Sequence, residues 1–569
     1  MTQTPPTSPP STPASKRSAG AQMTMGAIII SAFLFAGKAA GYVKDMVIAG
    51  YFGGTAVSDA FYLNYNNIIF LLYARIEKLL RPTFLPQFVR QMKDSEQNAW
   101  RLFSVIANTH VLTMLLIVTL IEVFAGRIIS TLWPNLAADP GHFRLAVAVL
   151  RIMAPALVLY SPSVMLELAL HSYKQFTIPA LADCLSRIGL LVALFVGVEF
   201  LWHPDNPNAI YAAAFGVLVA YPLRLLVQLP SLWSRLKGYA LTLDMSTPGA
   251  KTVFALMPPV IVGLIFSSAR GLADSIYADR IGEGIYTCLT FARKMTDAPL
   301  QILPLAVSFV VFPFLSQWAA EGAKDRLADA LVSMTRAMAF LFVPATVALM
   351  VLSKVIISLM FEHGRFGPES TQLAAIALFC YALGMFAYSV EGSINHWYFA
   401  LEDTRTPNYI GAAMAVLHIL IGYLGVFIIA RGTVADTITN LGAVQVGIAA
   451  IALALTISKT VKVVILYGLL LKHIGTIDKR RVYRFVAQVA FSTIVMAAVM
   501  WIALAVVHDP ILAWTPPVGG KKMQMLLLLA IVGGGGTVAY VAAAAAVRIE
   551  ELSTVWGHLT RKVRKRLER

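Results

Sequence analysis

From about residue 23 to residue 547 the chain is a succession of apolar segments, each long enough to cross the roughly 30 Å hydrocarbon core of a bilayer and separated by short breaks. Fourteen such segments are predicted, at 23–52, 59–75, 100–126, 143–171, 176–201, 208–232, 250–278, 284–318, 327–361, 369–400, 407–430, 437–470, 484–507 and 523–547. Composition leaves no soluble alternative. Residues AVILMFWYC make up 58% of the 569 positions and charged residues only 13%, about half the share of a soluble domain, so a globule built from this chain would lack the polar groups to cover its surface. The chain therefore reads as an all-α polytopic membrane protein. A secreted disulfide scaffold, a disordered regulator and a nucleic-acid binder are excluded.

Charge placement gives an orientation. Residues 1–22 are rich in Ser, Thr and Pro, lack the apolar core of a signal peptide, and are expected to be a disordered tail. Counting loops from that tail, its side collects most of the loop cations, ending in the basic stretch 553–569, whereas opposite loops hold only Arg127, Arg144, Arg280, Arg365, Arg431, Lys521 and Lys522. By the positive-inside rule both termini are expected in the cytoplasm, and the formal charge of +16 reports loops facing an anionic inner leaflet. Cys184, Cys288 and Cys380 lie far apart in apolar runs, with no CxxC and no nearby His, so they read as structural thiols and not as a metal site.

The chain also repeats itself. Asp45, Ala49 and Gly53 recur 229 positions later as Asp274, Ala278 and Gly282; Ile128-Ile129-Ser130 recurs as Ile356-Ile357-Ser358, Tyr160-Ser161 as Tyr388-Ser389, and Pro179 as Pro407. The constant order and nearly constant offset point to a duplication. Span 1 would match span 7, both starting on the same side, which predicts two parallel six-helix bundles, 23–233 and 247–475, with a site between them. Spans 13 and 14, within 478–552, form an added pair. Their run Gly533 to Gly536, followed by Ala542 to Ala546, suits close helix packing, with a groove for a lipid tail as the functional alternative.

Twelve cations fall inside the spans, where a lipid-facing charge costs roughly 2.5–3.5 kcal/mol on insertion scales. Lys354, Arg151 and Arg336 read as snorkelling residues near span ends. Lys38 sits deep in span 1, seven residues from Asp45 and so on its face, with Gly37 and Gly41 allowing a neighbouring helix to approach. In span 8, Arg293 and Lys294 precede Asp297 by four and three residues, so both can reach its carboxylate. The set Lys38, Lys44, Asp45, Asp59, Arg293, Lys294 and Asp297 is read as a hydrated, cationic cavity that admits an anion such as phosphate or pyrophosphate; the plain alternative is a neutralised ion-pair network that locks helices together. Glu167, Asp183 and Glu391 are further buried acids. No HExxH, P-loop, GxSxG or GxGxxG is present, so no enzyme is predicted.

Several stretches resemble the MurJ (MviN) family of lipid II flippases, within the wider group of polysaccharide-lipid and multidrug exporters. They are Gly41-Tyr42-Val43-Lys44-Asp45, Phe52-Gly53 and Ser58-Asp59-Ala60-Phe61; Phe84-Leu85-Pro86; Phe291-Ala292-Arg293-Lys294 with Asp297 and Pro299; Phe361-Glu362-His363-Gly364-Arg365-Phe366; and Asp403-Thr404-Arg405-Thr406-Pro407. The resemblance implies fourteen helices, as two six-helix lobes plus a terminal pair, that move lipid-linked peptidoglycan precursor outward across the bacterial inner membrane by alternating access. It places Lys38, Lys44 and Lys294 at family arginine positions, Asp59 at the span-2 aspartate and Asp297 at a glutamate. Leu72 replaces a span-2 arginine, and Arg293 stands where an acid is usual. The expected partners are the anionic lipid-linked glycan and membrane lipids, with no nucleic acid and a monomeric state; no cofactor is expected, and the ion or potential that drives transport is open. The rival readings are a flippase for another polyprenyl-linked glycan, a cation-coupled drug antiporter, a membrane enzyme acting on polyprenyl phosphates, and a degenerate scaffold.

Overall fold

A computed structural model describes residues 13–203, 205–300, 303–429, 442–475, 478–515 and 520–552. Each of the fourteen expected segments is helical there, and no strand occurs among the described residues. Among the described residues nine helices are long and apolar enough to cross a membrane, and the pair Pro368–Ala382 and Met385–Ala400, bent by 47°, makes a tenth when counted as one span. The remaining segments are 23–52, 59–75, 250–278 and 284–318. Three of these hold all seven candidate site residues, and 250–278 carries Arg270 and Asp274. The fold is thus the predicted all-α, multi-span type.

Local differences have local causes. The first helix runs Pro13–Phe52, beginning inside the stretch expected to be a tail; proline fits a helix's first position because the N–H it lacks there has no partner to lose. Residues 1–12 and the basic stretch 553–569 lie outside the described residues. The bend between Ala382 and Met385 falls at Gly384, where a Cβ would come within 2.5 Å of the Tyr388 ring. A helix not expected, Leu85–Asp94, buries Phe88, whose ring meets Trp100 edge-on at 6.0 Å.

Contacts divide the chain into two units, each discontinuous in sequence. The first comprises Met1–Val47, Asn64–Ile128 and Leu145–Ile261; the second comprises Ile48–Leu63, Ile129–Arg144 and Val262–Arg569. In the first unit, Gly37 brings its helix against Thr177–Val196: a Cβ there would lie 3.3 Å from the Cys184 Cα and the Arg187 Cδ, as the small residues of span 1 predicted. In the second, Trp397 is buried with Leu327, Leu331, Leu466 and Leu470, and its indole N–H donates to the Leu327 carbonyl at 3.2 Å, so the large side chain leaves no polar atom unpaired. The C-terminal pair packs Met496, Met500, Val532 and Tyr540 against Leu352 and Val355. Gly536 closes on Met500, whose Cγ is 2.4 Å from where a Cβ would stand, which supports the packing reading of that glycine. All three cysteines are buried and free.

Candidate functional site

The second unit holds a cavity of about 160 Å3, lined by Arg293, Asp297, Lys459, Tyr381 and Tyr388 together with Thr296, Leu300 and Leu455. Its charged residues come from two helices by simple periodicity. Arg293 and Asp297 are one turn apart on Ile285–Leu300, and their Nε and Oδ2 lie 3.9 Å apart with both side chains nearly half exposed. Lys459 and Lys462, three apart on Ala443–Leu470, both reach the Glu391 carboxylate of Met385–Ala400, at 2.6 and 2.8 Å. Three cations therefore face two carboxylates. The two lysines saturate Glu391, whereas the wide, cavity-facing Arg293–Asp297 contact leaves the guanidinium able to accept another anion. The Tyr388 hydroxyl, 2.9 Å from the Thr456 hydroxyl, and the Tyr388 ring, 5.2 Å from the Lys459 ammonium, complete a wall that is polar and aromatic.

The other predicted site residues have different surroundings. Lys44 pairs with its neighbour Asp45 at 2.8 Å, both buried, and lies 5.2 Å from the Tyr65 ring centre; Asp45 thus meets Lys44, the adjacent residue, in place of the helical-face partner Lys38. Lys38 is exposed and has no carboxylate at ion-pair distance among the described residues. The Lys294 ammonium is 5.7 Å from the Tyr62 ring centre.

Asp59 does something else. Its carboxylate accepts the Gly284 and Thr287 backbone N–H groups at 2.7 and 2.8 Å and the Thr287 hydroxyl at 2.7 Å. It thereby caps the helix Ile285–Leu300 at its positive end, and that helix carries Arg293 and Asp297. The joint around this cap is backbone against backbone. Gly284, at φ +76°, would place a Cβ 2.0 Å from the Gly54 carbonyl oxygen, and Gly364, at φ +58°, would place one 2.1 Å from that of Gly50. The Arg365 N–H donates to the Gly50 carbonyl at 2.9 Å, and Phe291 stacks on Phe361 at 4.3 Å. Most of the motifs that carried the family resemblance meet here, as the joint that positions the cavity helix.

The first unit carries its own buried polar cluster. The Arg224 guanidinium pairs with Glu167, which also takes Arg81 at 3.1 Å, and donates to the Tyr73 hydroxyl at 3.0 Å. Nearby, Arg187 and Asp183 pair at 3.0 Å beside a cavity of about 60 Å3 that Tyr65, Tyr73 and Tyr221 help to line. Arg224 and Glu167 are almost fully buried, so Glu167→Ala is expected to destabilise the protein by about 3–5 kcal/mol, as an uncompensated buried cation does. The double change Glu167→Leu with Arg224→Met should recover most of that loss in a thermal-unfolding measurement.

Sequence reasoning gives Glu391 only as one of three further buried acids, and Lys459 and Lys462 only as two of the twelve cations inside the spans. A signal for them existed, since Lys459 and Lys462 stand three apart, the spacing that also separates Lys294 from Asp297. Their shared acid lies 68 and 71 residues away, and no local pattern announces such a pairing. The same holds for the buried pair Asp274 and His418, 2.7 Å apart.

The model of the family "Lipid II flippase MurJ" matches residues 48–515. Lipid II flippase MurJ of Burkholderia cenocepacia is 25% identical over 403 residues, 70% of this chain and 77% of that protein. Probable lipid II flippase MurJ of Vibrio cholerae is 24% identical over 487 residues, 83% of this chain and 88% of that protein. Among solved structures, one titled "Lipid II flippase MurJ, inward closed conformation" superposes with a TM-score of 0.69 at 20% identity, covering 91% of this chain and 98% of its own. An inward-facing multidrug transporter of the MATE family superposes at 0.61 with 12% identity, over 79% of this chain and 98% of its own, and shares the fold alone. With the family model spanning most of its length, this multi-pass membrane protein belongs to the MurJ lipid II flippase family.

Proposed function

We propose that this protein is a lipid II flippase: it carries undecaprenyl-pyrophosphate-linked peptidoglycan precursor from the inner to the outer leaflet of a bacterial cytoplasmic membrane, with both termini in the cytoplasm, by exposing its site alternately to the two sides. The observation that carries the reading is the Arg293 cavity. A pyrophosphate entering a membrane loses its hydration, and the protein must replace it with fixed positive charge. Arg293 does so with a forked guanidinium held only loosely by Asp297 at 3.9 Å, and Lys459 adds a point charge to the same wall. Lys38, exposed and outside any ion pair among the described residues, is a second proposed contact, and Lys294 is proposed to supply background positive potential, while the Lys44 charge is balanced by Asp45 at 2.8 Å. Asp59 enters this reading as the residue that fixes the cavity helix.

Family membership and a cavity with more cations than acids favour this over drug–cation antiport, which calls for acids in surplus. The test is transbilayer movement of labelled lipid II in vesicles that contain only this protein. Movement dependent on the protein supports the reading. Failure by well-folded protein, together with movement of another polyprenyl-linked glycan, would transfer the same site to that substrate.

A further inference from the structure

We infer a second anion site, specific for the phosphate headgroup of an anionic phospholipid, in a cavity of about 300 Å3 lined by Arg336, Arg480, Arg481, Arg484 and Arg548 with Asp478 and Glu550. It lies in the second unit, where the start of the helix Lys479–Ala513 and the residues after Gly534–Ala546 meet Lys324–Val351, and it shares no lining residue with the Arg293 cavity. The inference is independent of the flippase reading.

The charge arrangement calls for a ligand. Arg336, read from sequence as a snorkelling residue, is buried and fixed: it pairs with Glu550 at 3.0 Å and Glu551 at 2.7 Å and lies 4.6 Å from the Phe485 ring centre. Arg481 pairs with Glu550 at 2.9 Å. Hydrogen bonds from Arg481 and Arg336 hold the Glu550 carboxyl below the usual carboxylate range, so this pairing persists at neutral pH. Asp478 is also occupied, capping its helix by accepting the Arg480 and Arg481 backbone N–H groups at 3.0 and 3.2 Å. Arg480, Arg484 and Arg548 make no ion pair among the described residues. Five guanidinium groups thus line one cavity, and the carboxylates near them, Asp478, Glu550 and Glu551 with Asp329 acting on Arg481, leave positive charge in surplus.

Two features make that surplus costly without an anion. Arg480 and Arg484 are one turn apart on the same helix face, where like charges repel. They also stand in the first turns of a helix, the end whose dipole disfavours cations and favours anions. The positive-inside rule accounts for basic residues on one side of the membrane; it does not require them to converge on a cavity.

The surrounding surface selects a lipid over a soluble phosphate. Below the arginines the helix Lys479–Ala513 exposes Tyr483, Val486, Phe491 and Ile494, at 73, 55, 52 and 67%, spaced at three to five residues and so forming one apolar stripe. A headgroup phosphate bound by Arg480, Arg484 and Arg548 would lay its acyl chains along that stripe, as basic pockets between membrane helices hold anionic lipids.

The experiment uses the full-length chain, purified in detergent and stripped of lipid, with phosphatidylglycerol as probe, phosphatidylcholine as the neutral control and inorganic phosphate as the soluble anion. Wild type is expected to retain phosphatidylglycerol over phosphatidylcholine by native mass spectrometry. The triple variant Arg480→Gln, Arg484→Gln, Arg548→Gln should retain at least tenfold less of it, and the matching triple lysine variant an intermediate amount. Millimolar inorganic phosphate should leave the lipid bound. Equal retention of the two lipids, unchanged retention by the glutamine variant, or complete displacement by inorganic phosphate would each overturn the assignment. Thermal unfolding checks the variants; should the triple change prevent folding, Arg484→Gln alone decides, with a loss of about threefold expected and no loss overturning the site.

Discussion

Arg293→Ala is expected to slow lipid II movement in reconstituted vesicles by about tenfold to a hundredfold. A charge-assisted hydrogen bond is worth about 1.5–3 kcal/mol, and each 1.4 kcal/mol is a factor of ten. Arg293→Lys should fall between the two, keeping the charge and losing the two-pronged donor geometry. Asp297→Asn makes the prediction sharper because its sign is opposite: removing the carboxylate that competes for the guanidinium at 3.9 Å should preserve or strengthen binding of the pyrophosphate, while a purely structural ion pair would be weakened equally from either end. Equal damage from Arg293→Ala and Asp297→Asn, at matched expression, would make the pair a helix lock and remove the cavity from the transport mechanism.

Gly284→Ala is expected to be the most destabilising small substitution in the second unit. Two costs coincide. A non-glycine residue in the left-handed region costs roughly 1–2 kcal/mol, and the added Cβ would stand 2.0 Å from the Gly54 carbonyl oxygen, a backbone atom that cannot rotate aside. Relief requires the segment around Gly54 to part from the start of Ile285–Leu300, which breaks the two backbone bonds to Asp59. A combined loss of more than about 4 kcal/mol follows, in the range reserved for buried, geometrically locked positions. Loss of folded protein in a detergent thermal-shift assay checks it; an unchanged midpoint would show that the joint opens without cost. Asp59→Asn should be milder, since its amide keeps one acceptor oxygen for the N–H groups and loses the charge that favours the helix end.

Asp59 illustrates how far sequence carried the candidate site. A carboxylate opening a membrane span at a motif position was recognisable as unusual, and its partnership with Gly284 and Thr287, 225 and 228 residues away, was not. The cap forms because the chain returns there, and nothing in residues 56–64 encodes the return. Lys44 and Asp45 teach the reverse: helical periodicity put Lys38 and Asp45 on one face, yet the neighbouring ammonium reaches the carboxylate first, at 2.8 Å, because a long lysine side chain can curl back over a single peptide unit. Arg336 reads from sequence as a snorkelling residue near a span end, and it is buried because Glu550 and Glu551 arrive from the far end of the chain.

Sequence by itself determined the membrane class, the helical positions of the fourteen segments, and the three-and-four-residue spacing that sets Arg293 beside Asp297. These are local or additive properties: hydrophobic length, helix period and summed charge need no knowledge of which helix neighbours which. Tertiary structure alone decided which charges meet, giving Glu391 to Lys459 and Lys462, Asp59 to the helix end at Gly284, and five arginines to one cavity. Inside a low-dielectric medium an ion pair is worth forming only at contact distance, so the identity of each partner rests on packing to within an ångström or two, information spread over hundreds of residues and absent from any one stretch of them.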